Sequence, residues 1–258
     1  MNLGRTLVIA ANVFREVIRD RVLYMIAFFA AVMVAAAVLI PEVAASAESQ
    51  IILDVGLAAI GLLGLAITVF VGTGLVNKEI EKRTVYVMVA KPISRTEFIV
   101  GKHWGLSAVL LVLVSSMTAI YLGVLTARQI PYPNSILLAS GFQFIELSLI
   151  AAVAILFGVF TNSLLATMLT FAIYLVGHFS RDLLTFGVLA QNLRLQRITE
   201  GIYLILPDLE RLNLKNQAVY GLDLLPTPLE LIGDAAYGIV YTVVLLAIAI
   251  LIFSRREF

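Results

Sequence analysis

Gln143 and Glu146 stand one helical turn apart inside an apolar run that covers residues 136–160. Residues three apart share one face of a helix. A carboxylate at bilayer depth costs about 2.5–3.5 kcal/mol on insertion scales, so Glu146 is expected to be protonated, paired or facing water. Two chemistries fit the pair: a polar substrate path or proton relay, or interhelical hydrogen bonds that hold the fold together. The second concentration of reactive side chains lies at 77–105. There Lys78, Glu79, Glu81, Lys82, Arg83 and Thr84 precede Met88, and Lys91-Pro92-Ile93-Ser94-Arg95-Thr96-Glu97 follows. So dense a charged segment between two apolar runs must face water. It either fixes the topology through its cations or receives a push from a partner.

Other chemistries are excluded by what the chain lacks. There is no cysteine, which removes disulfides, thiolate metal sites and cysteine nucleophiles together, and the two histidines, His103 and His178, supply a metal site poorly. No HExxH, GxSxG or paired aspartates occur, so an intramembrane enzyme is not supported. The single Gly-Lys, Gly101-Lys102, has Thr96 where a phosphate-binding loop needs glycine, so this chain is not expected to hydrolyse ATP. No resident metal or cofactor and no nucleic-acid partner are expected.

The elements that must position these residues are membrane helices. Of 258 residues, 61% are hydrophobic and 14% charged; mean hydropathy is +1.01, far above a soluble domain. The apolar runs predict an all-α polytopic protein with six spans, at 22–40, 52–76, 103–126, 136–160, 164–180 and 228–253. Ala45-Ser46-Ala47 resembles a signal-peptide cleavage site, but the run before it is too long for a signal peptide. Residues 1–21 read as an amphipathic helix suited to the headgroup plane, with Leu3, Leu7, Phe14 and Val17 on one face and Arg5, Glu16 and Arg19 on another.

Local signals refine the frame. Pro92 stops a first helix of the charged segment, and Ser94 with Glu97 forms a capping box that opens the next one, which has no stop before the third span. Thr227-Pro228-Leu229-Glu230 is a second capping box with proline at its preferred site. Ala27, Ala31 and Ala35 form a small-residue stripe expected to pack against another helix, and Gly56, Gly61 and Gly64 permit either tight packing against a second copy of the chain, the expected use, or a bend where the helix meets the charged segment. The fifth run is short for a span, which leaves a break near Arg181 open. Residues 181–227 read as short helices on the outer membrane face, with a re-entrant segment as the alternative. Lys and Arg gather at 5–21, 78–102 and 255–256, which places both termini and the charged segment in the cytoplasm; the long 181–227 region is an exception to this bias.

The chain also carries a family resemblance. Glu79, Glu81, Thr84, then Lys91-Pro92-Ile93-Ser94-Arg95 and Gly101-Lys102 resemble the signature between the second and third spans of type-2 ATP-binding-cassette permeases. The stretch from Leu206 to Leu214, LPDLERLNL, and the terminal FSRREF resemble the subgroup that includes the permease of nitrous-oxide-reductase maturation. The resemblance implies one permease domain in the bacterial inner membrane, paired with a second copy and with two copies of a separate ATPase that binds ATP and Mg2+. It implies an N-terminal elbow helix and a cytoplasmic coupling helix within 77–102. Lys78, Glu79, Glu81, Lys82, Arg83, Thr84 and Met88 would then meet the ATPase, and Pro92, Ser94, Arg95 and Glu97 would pass its motion to the third span, driving export or force on an outer-face protein. Two other readings stay open, a proton-coupled secondary transporter using Glu146 and a scaffold that carries no solute.

Overall fold

The computed structural model describes residues 2–44, 47–81, 94–190 and 192–255. Every regular element among them is helical, as lipid demands of a chain whose backbone polar groups must be satisfied within each segment. Helix α1 (Leu3–Val17) is N-capped by Asn2, whose side chain accepts from the Gly4 N–H, and a π-helical turn at Ile18–Val22 leads into α2 (Leu23–Ala44). Helix α3 (Glu48–Gly72) turns at Thr73 into α4 (Gly74–Glu81). The long α5 (Arg95–Ala127) and α6 (Ser135–Phe160) follow, then α7 (Ser163–His178) and α8 (Ser180–Leu189), bent by 58° at their junction. Helix α9 (Leu193–Ile205), a 3-10 turn at Leu209–Leu212, α10 (Lys215–Val219) and a 3-10 turn at Leu222–Leu224 lead to α11 (Pro228–Arg255).

Five of these helices are long and apolar enough to cross a membrane, and the bent pair α7–α8 makes a sixth crossing if taken as one span. The short fifth run thus ends in a break: α7 stops at His178, and the chain turns sharply into α8. Two ends of the bundle result, one carrying α1 and the other carrying α9.

Helix α6 is the centre of the bundle. It packs against α3, α5, α7 and α11, and Ala151, Ala152 and Ala154 are wholly enclosed. Small residues let neighbouring backbones close in where dispersion, not water exclusion, drives helix association. The glycine face of α3 does the same: a Cβ on Gly56 would overlap the Tyr121 ring of α5, and one on Gly64 would overlap Leu147 of α6. These glycines are used inside the chain. The alanine stripe of α2 is not. Ala27, Ala31 and Ala35 are exposed, and Phe29, Met33 and Ala37 face the core instead.

The expectation of surface helices over 181–227 holds for only part of that region. Apolar side chains of α8 and α9, among them Phe186, Leu189, Leu204 and Ile205, are exposed. The stretch 209–219 instead enters the bundle. Leu209, Leu212 and Ala218 have no exposure, Gly177 leaves room for Leu209, and the Ser135 hydroxyl donates to the Ala218 carbonyl at 2.6 Å. Helix α2 also runs past its expected end to Ala44, with Pro41 inside it.

Candidate functional site

Four elements are fastened together at the α1 end. Ser94 is extended, its Oγ accepts the Glu97 N–H at 3.1 Å, and Glu97 Oε2 accepts the Ser94 N–H at 3.0 Å, so the capping box opens α5. The second carboxylate oxygen, Oε1, accepts the backbone N–H of Asn2 at 2.6 Å. One side chain therefore caps α5 and pins the start of α1. Along the same face, Gly101 and Gly105 admit α1 closely: a Cβ on Gly105 would lie 2.7 Å from the Ala10 carbonyl oxygen and from Val13. Lys102 forms an ion pair with Glu79 of α4, and its ammonium lies 5.4 Å from the Phe98 ring centroid. Phe98 stacks on Phe253 at 5.6 Å. Arg95 Nη1 donates to the Phe253 carbonyl at 2.8 Å and to that of Ser254, neutralising carbonyls that α11 leaves open at its C-terminus.

This junction brings Glu79, Ser94, Arg95 and Glu97 to one place. The side chains of Lys78 and Glu81, and the residues Lys82, Arg83, Thr84, Met88 and Pro92, lie outside the described residues. Lys102 is the member that sequence reasoning did not assign to the site. Its signals were its place in the Gly101-Lys102 pair of the family signature and a cation in a mostly apolar helix.

A second cluster lies within the bundle. Glu146 is 2% exposed, with Oε1 3.3 Å from His178 Nε2 and Oε2 3.9 Å from Lys215 Nζ. The His178 Nδ1 lies 3.0 Å from the Tyr174 carbonyl oxygen, and its Nε2 faces the Glu146 carboxylate. Gln143 Nε2 donates to the Leu57 carbonyl at 2.8 Å. Glu146 thus joins α6 to α7 and α10, and Gln143 joins α6 to α3. Of the two chemistries open to these residues, the contacts display interhelical cross-linking. His178 and Lys215 were not recognised as partners, since they come from other elements at no fixed spacing from Glu146.

A third cluster closes the α9 end around Asp208, whose side chain is 3% exposed. Its carboxylate accepts from Arg181 Nε, Arg211 Nε and the Tyr203 hydroxyl, each at 3.1 Å, and from the Ser180 hydroxyl at 3.3 Å. Its N–H donates to the Tyr237 hydroxyl at 2.8 Å. Burial alone would push this carboxyl up, but hydrogen bonds and charge from Arg181, with hydrogen bonds from Arg211 and Tyr203, hold it below its ordinary value. Helices α8, α9 and α11 and the 3-10 turn between them therefore meet on one side chain. Among the described residues, no group of three or more acidic or histidine side chains is placed to hold a metal ion.

Comparison with known proteins adds one finding. Residues 7–258 match the family model described as ABC-2 family transporter protein. No curated protein matches the chain.

Proposed function

We infer the function from the premise that this chain belongs to the ABC-2 transporter family and is a multi-pass permease component of an ABC transporter. In our reading it is an exporter subunit of the inner membrane. The α1 end faces the cytoplasm, two copies of a separate ATPase bind ATP and Mg2+ there, and a second permease copy completes the assembly. The observation that carries this reading is the Lys102–Glu79 pair, which links α4, at the edge of the charged segment, to α5. Hydrolysis in the ATPase shifts α4, the pair passes that shift to α5, and the bundle opens at the α9 end. There, release of Lys215 from Glu146 frees the segment that fills the bundle, and Gln143 and Glu146 come to line the path.

Tagged chain purified in mild detergent from its native membrane tests this. A P-loop ATPase should co-elute with ATPase activity. Glu79→Lys should reduce activity coupled to the permease, and the swap Glu79→Lys with Lys102→Glu should restore it if the pair transmits motion. Full coupling in folded Glu79→Lys chain sinks the assignment. A pure chain with no ATPase moves the reading to proton-coupled transport, which the Glu146–His178–Lys215 cluster favours, and Glu146→Gln would then abolish transport. The LPDLERLNL stretch supports kinship with permeases of nitrous-oxide-reductase maturation, and with it a role in driving an outer-face protein or as a scaffold that carries no solute.

A further inference from the structure

The Asp208 cluster opens onto a cleft of about 610 Å3 lined by Arg181, Arg211, Glu230 and Asp234, with Leu224, Leu225 and Pro226 as its apolar wall and Gly233 on its floor. Asp208 uses the Nε edge of both guanidinium groups. That fixes the two groups in place, Arg211 further by the Tyr203 hydroxyl and by the Tyr237 ring, whose centroid is 5.0 Å from its Cζ, and the bonds to Asp208 take none of their Nη donors. Arg181 is about half exposed, and the nearest carboxylate oxygen to Arg211 Nη1 other than those of Asp208 belongs to Asp234, at 3.9 Å, too far for a good hydrogen bond. A guanidinium held by one edge presents the other to a phosphate in the geometry that favours paired hydrogen bonds.

The acidic side of the cleft is equally defined. Glu230 spends Oε2 on the Thr227 N–H and hydroxyl, and Asp234 sits one turn further along α11. A ligand that satisfies the cleft must bring an anion to Arg181 and Arg211 and a hydrogen-bonding cation to Asp234 and Glu230. The cleft also lies where α8 follows α7 and where α11 begins. From Gly233, Val240 and Val244 continue the same helical face of α11 as an exposed apolar stripe, which is the course an acyl chain would follow from a headgroup seated at Gly233. A Cβ on Gly233 would meet nothing within 4 Å, so the floor has room.

We propose that this cleft binds the headgroup of a zwitterionic phospholipid carrying a primary ammonium, of the ethanolamine type, drawn from the leaflet at the α9 end. The phosphate sits on Arg181 and Arg211, the ammonium donates to Asp234 and Glu230, and an acyl chain lies along α11. A choline headgroup has the same charges but no N–H to donate, and a glycerol headgroup brings no cation. The proposal does not rest on ATP coupling.

The test is native mass spectrometry of the full chain, delipidated in detergent and offered equal amounts of dioleoyl phosphatidylethanolamine, phosphatidylcholine and phosphatidylglycerol. Two charge-assisted hydrogen bonds from the ammonium should favour the ethanolamine lipid over the choline lipid by about tenfold. Asp234→Asn should reduce that preference while retaining lipid, and Arg181→Gln should weaken both zwitterionic lipids. Gly233→Leu, which suits a helix and fills the floor without touching a charge, should remove the preferred adduct while the chain elutes and melts as the parent does. Equal retention of all three lipids, strongest retention of the glycerol lipid, or an ethanolamine preference that survives Gly233→Leu would each overturn the proposal.

Discussion

Glu97 Oε1 accepts the backbone N–H of Asn2 at 2.6 Å, across a sequence separation of 95 residues. The same carboxylate closes the capping box of α5 through Oε2. The start of the amphipathic α1 and the start of the longest helix are therefore held by one side chain, and a displacement of either is felt by the other. Glycines at 101 and 105 extend that contact along the α5 surface.

Glu97→Ala should lower stability through loss of the reciprocal cap, and it should release α1 as well. Limited proteolysis in detergent reads the second effect: cleavage within α1 should accelerate more than cleavage elsewhere. Gly105→Val should give the same proteolytic signature without removing the cap, because its added carbons would enter the space of Ala10 and Val13.

Gly56 and Tyr121 should behave as one unit. The Tyr121 hydroxyl donates to the Leu53 carbonyl at 2.8 Å while its ring fills the space that Gly56 leaves. Tyr121→Phe should cost about 1 kcal/mol for the lost hydrogen bond, and Gly56→Leu should cost about 1–3 kcal/mol by overpacking. Combining Gly56→Leu with Tyr121→Ala should be less damaging than the sum of the two, as contacting sites are not additive. Thermal melts followed by size-exclusion chromatography would measure this.

The Glu146 cluster predicts another departure from additivity. Removing one partner of a buried pair typically costs about 3–5 kcal/mol, because the other charge stays buried. Glu146→Leu or Lys215→Met should each lower the melting temperature, and the double change should recover part of the loss. Additive losses would mean that the two side chains do not stabilise one another.

Asp208 predicts an acid dependence confined to the α9 end. Its folded-state carboxyl lies below the ordinary value, so its contribution to stability is fully present above the unfolded carboxyl range and fades as pH falls through the folded-state value. Acid should therefore loosen α8 and α9 before the rest, seen as faster hydrogen exchange there below about pH 4, where an ordinary aspartate begins to bind its proton. Asp208→Asn should exchange faster already at neutral pH and show a flatter acid response over that range.

Several features were legible in the residues themselves. Ser94 with Glu97, and Thr227 with Glu230, satisfy backbone donors within three positions, so their capping boxes can be read from adjacent letters. The Gly56–Gly64 face announced close packing for the same local reason, though not against what. The partners of Glu79 and Glu146 were not legible. Lys102 and Lys215 meet those carboxylates only because α4 and α5 both pack on α6, and because 209–219 enters the bundle where a polar, interrupted sequence reads as surface. The alanine stripe of α2 lies exposed while Phe29 and Met33 form the buried face, because small residues permit a contact without specifying which helix makes it.

The amino-acid sequence by itself determined that this is an all-helical membrane protein, where α5 and α11 begin, and that it resembles the type-2 permeases. Those properties follow from hydropathy, helix period and capping, which act over a few turns. Only the tertiary structure decided which charge answers which. Glu146 meets His178 and Lys215, Glu79 meets Lys102, and Arg181 and Arg211 share Asp208, because in a low-dielectric bundle each buried charge must find its partner across helices, and that choice is made by packing.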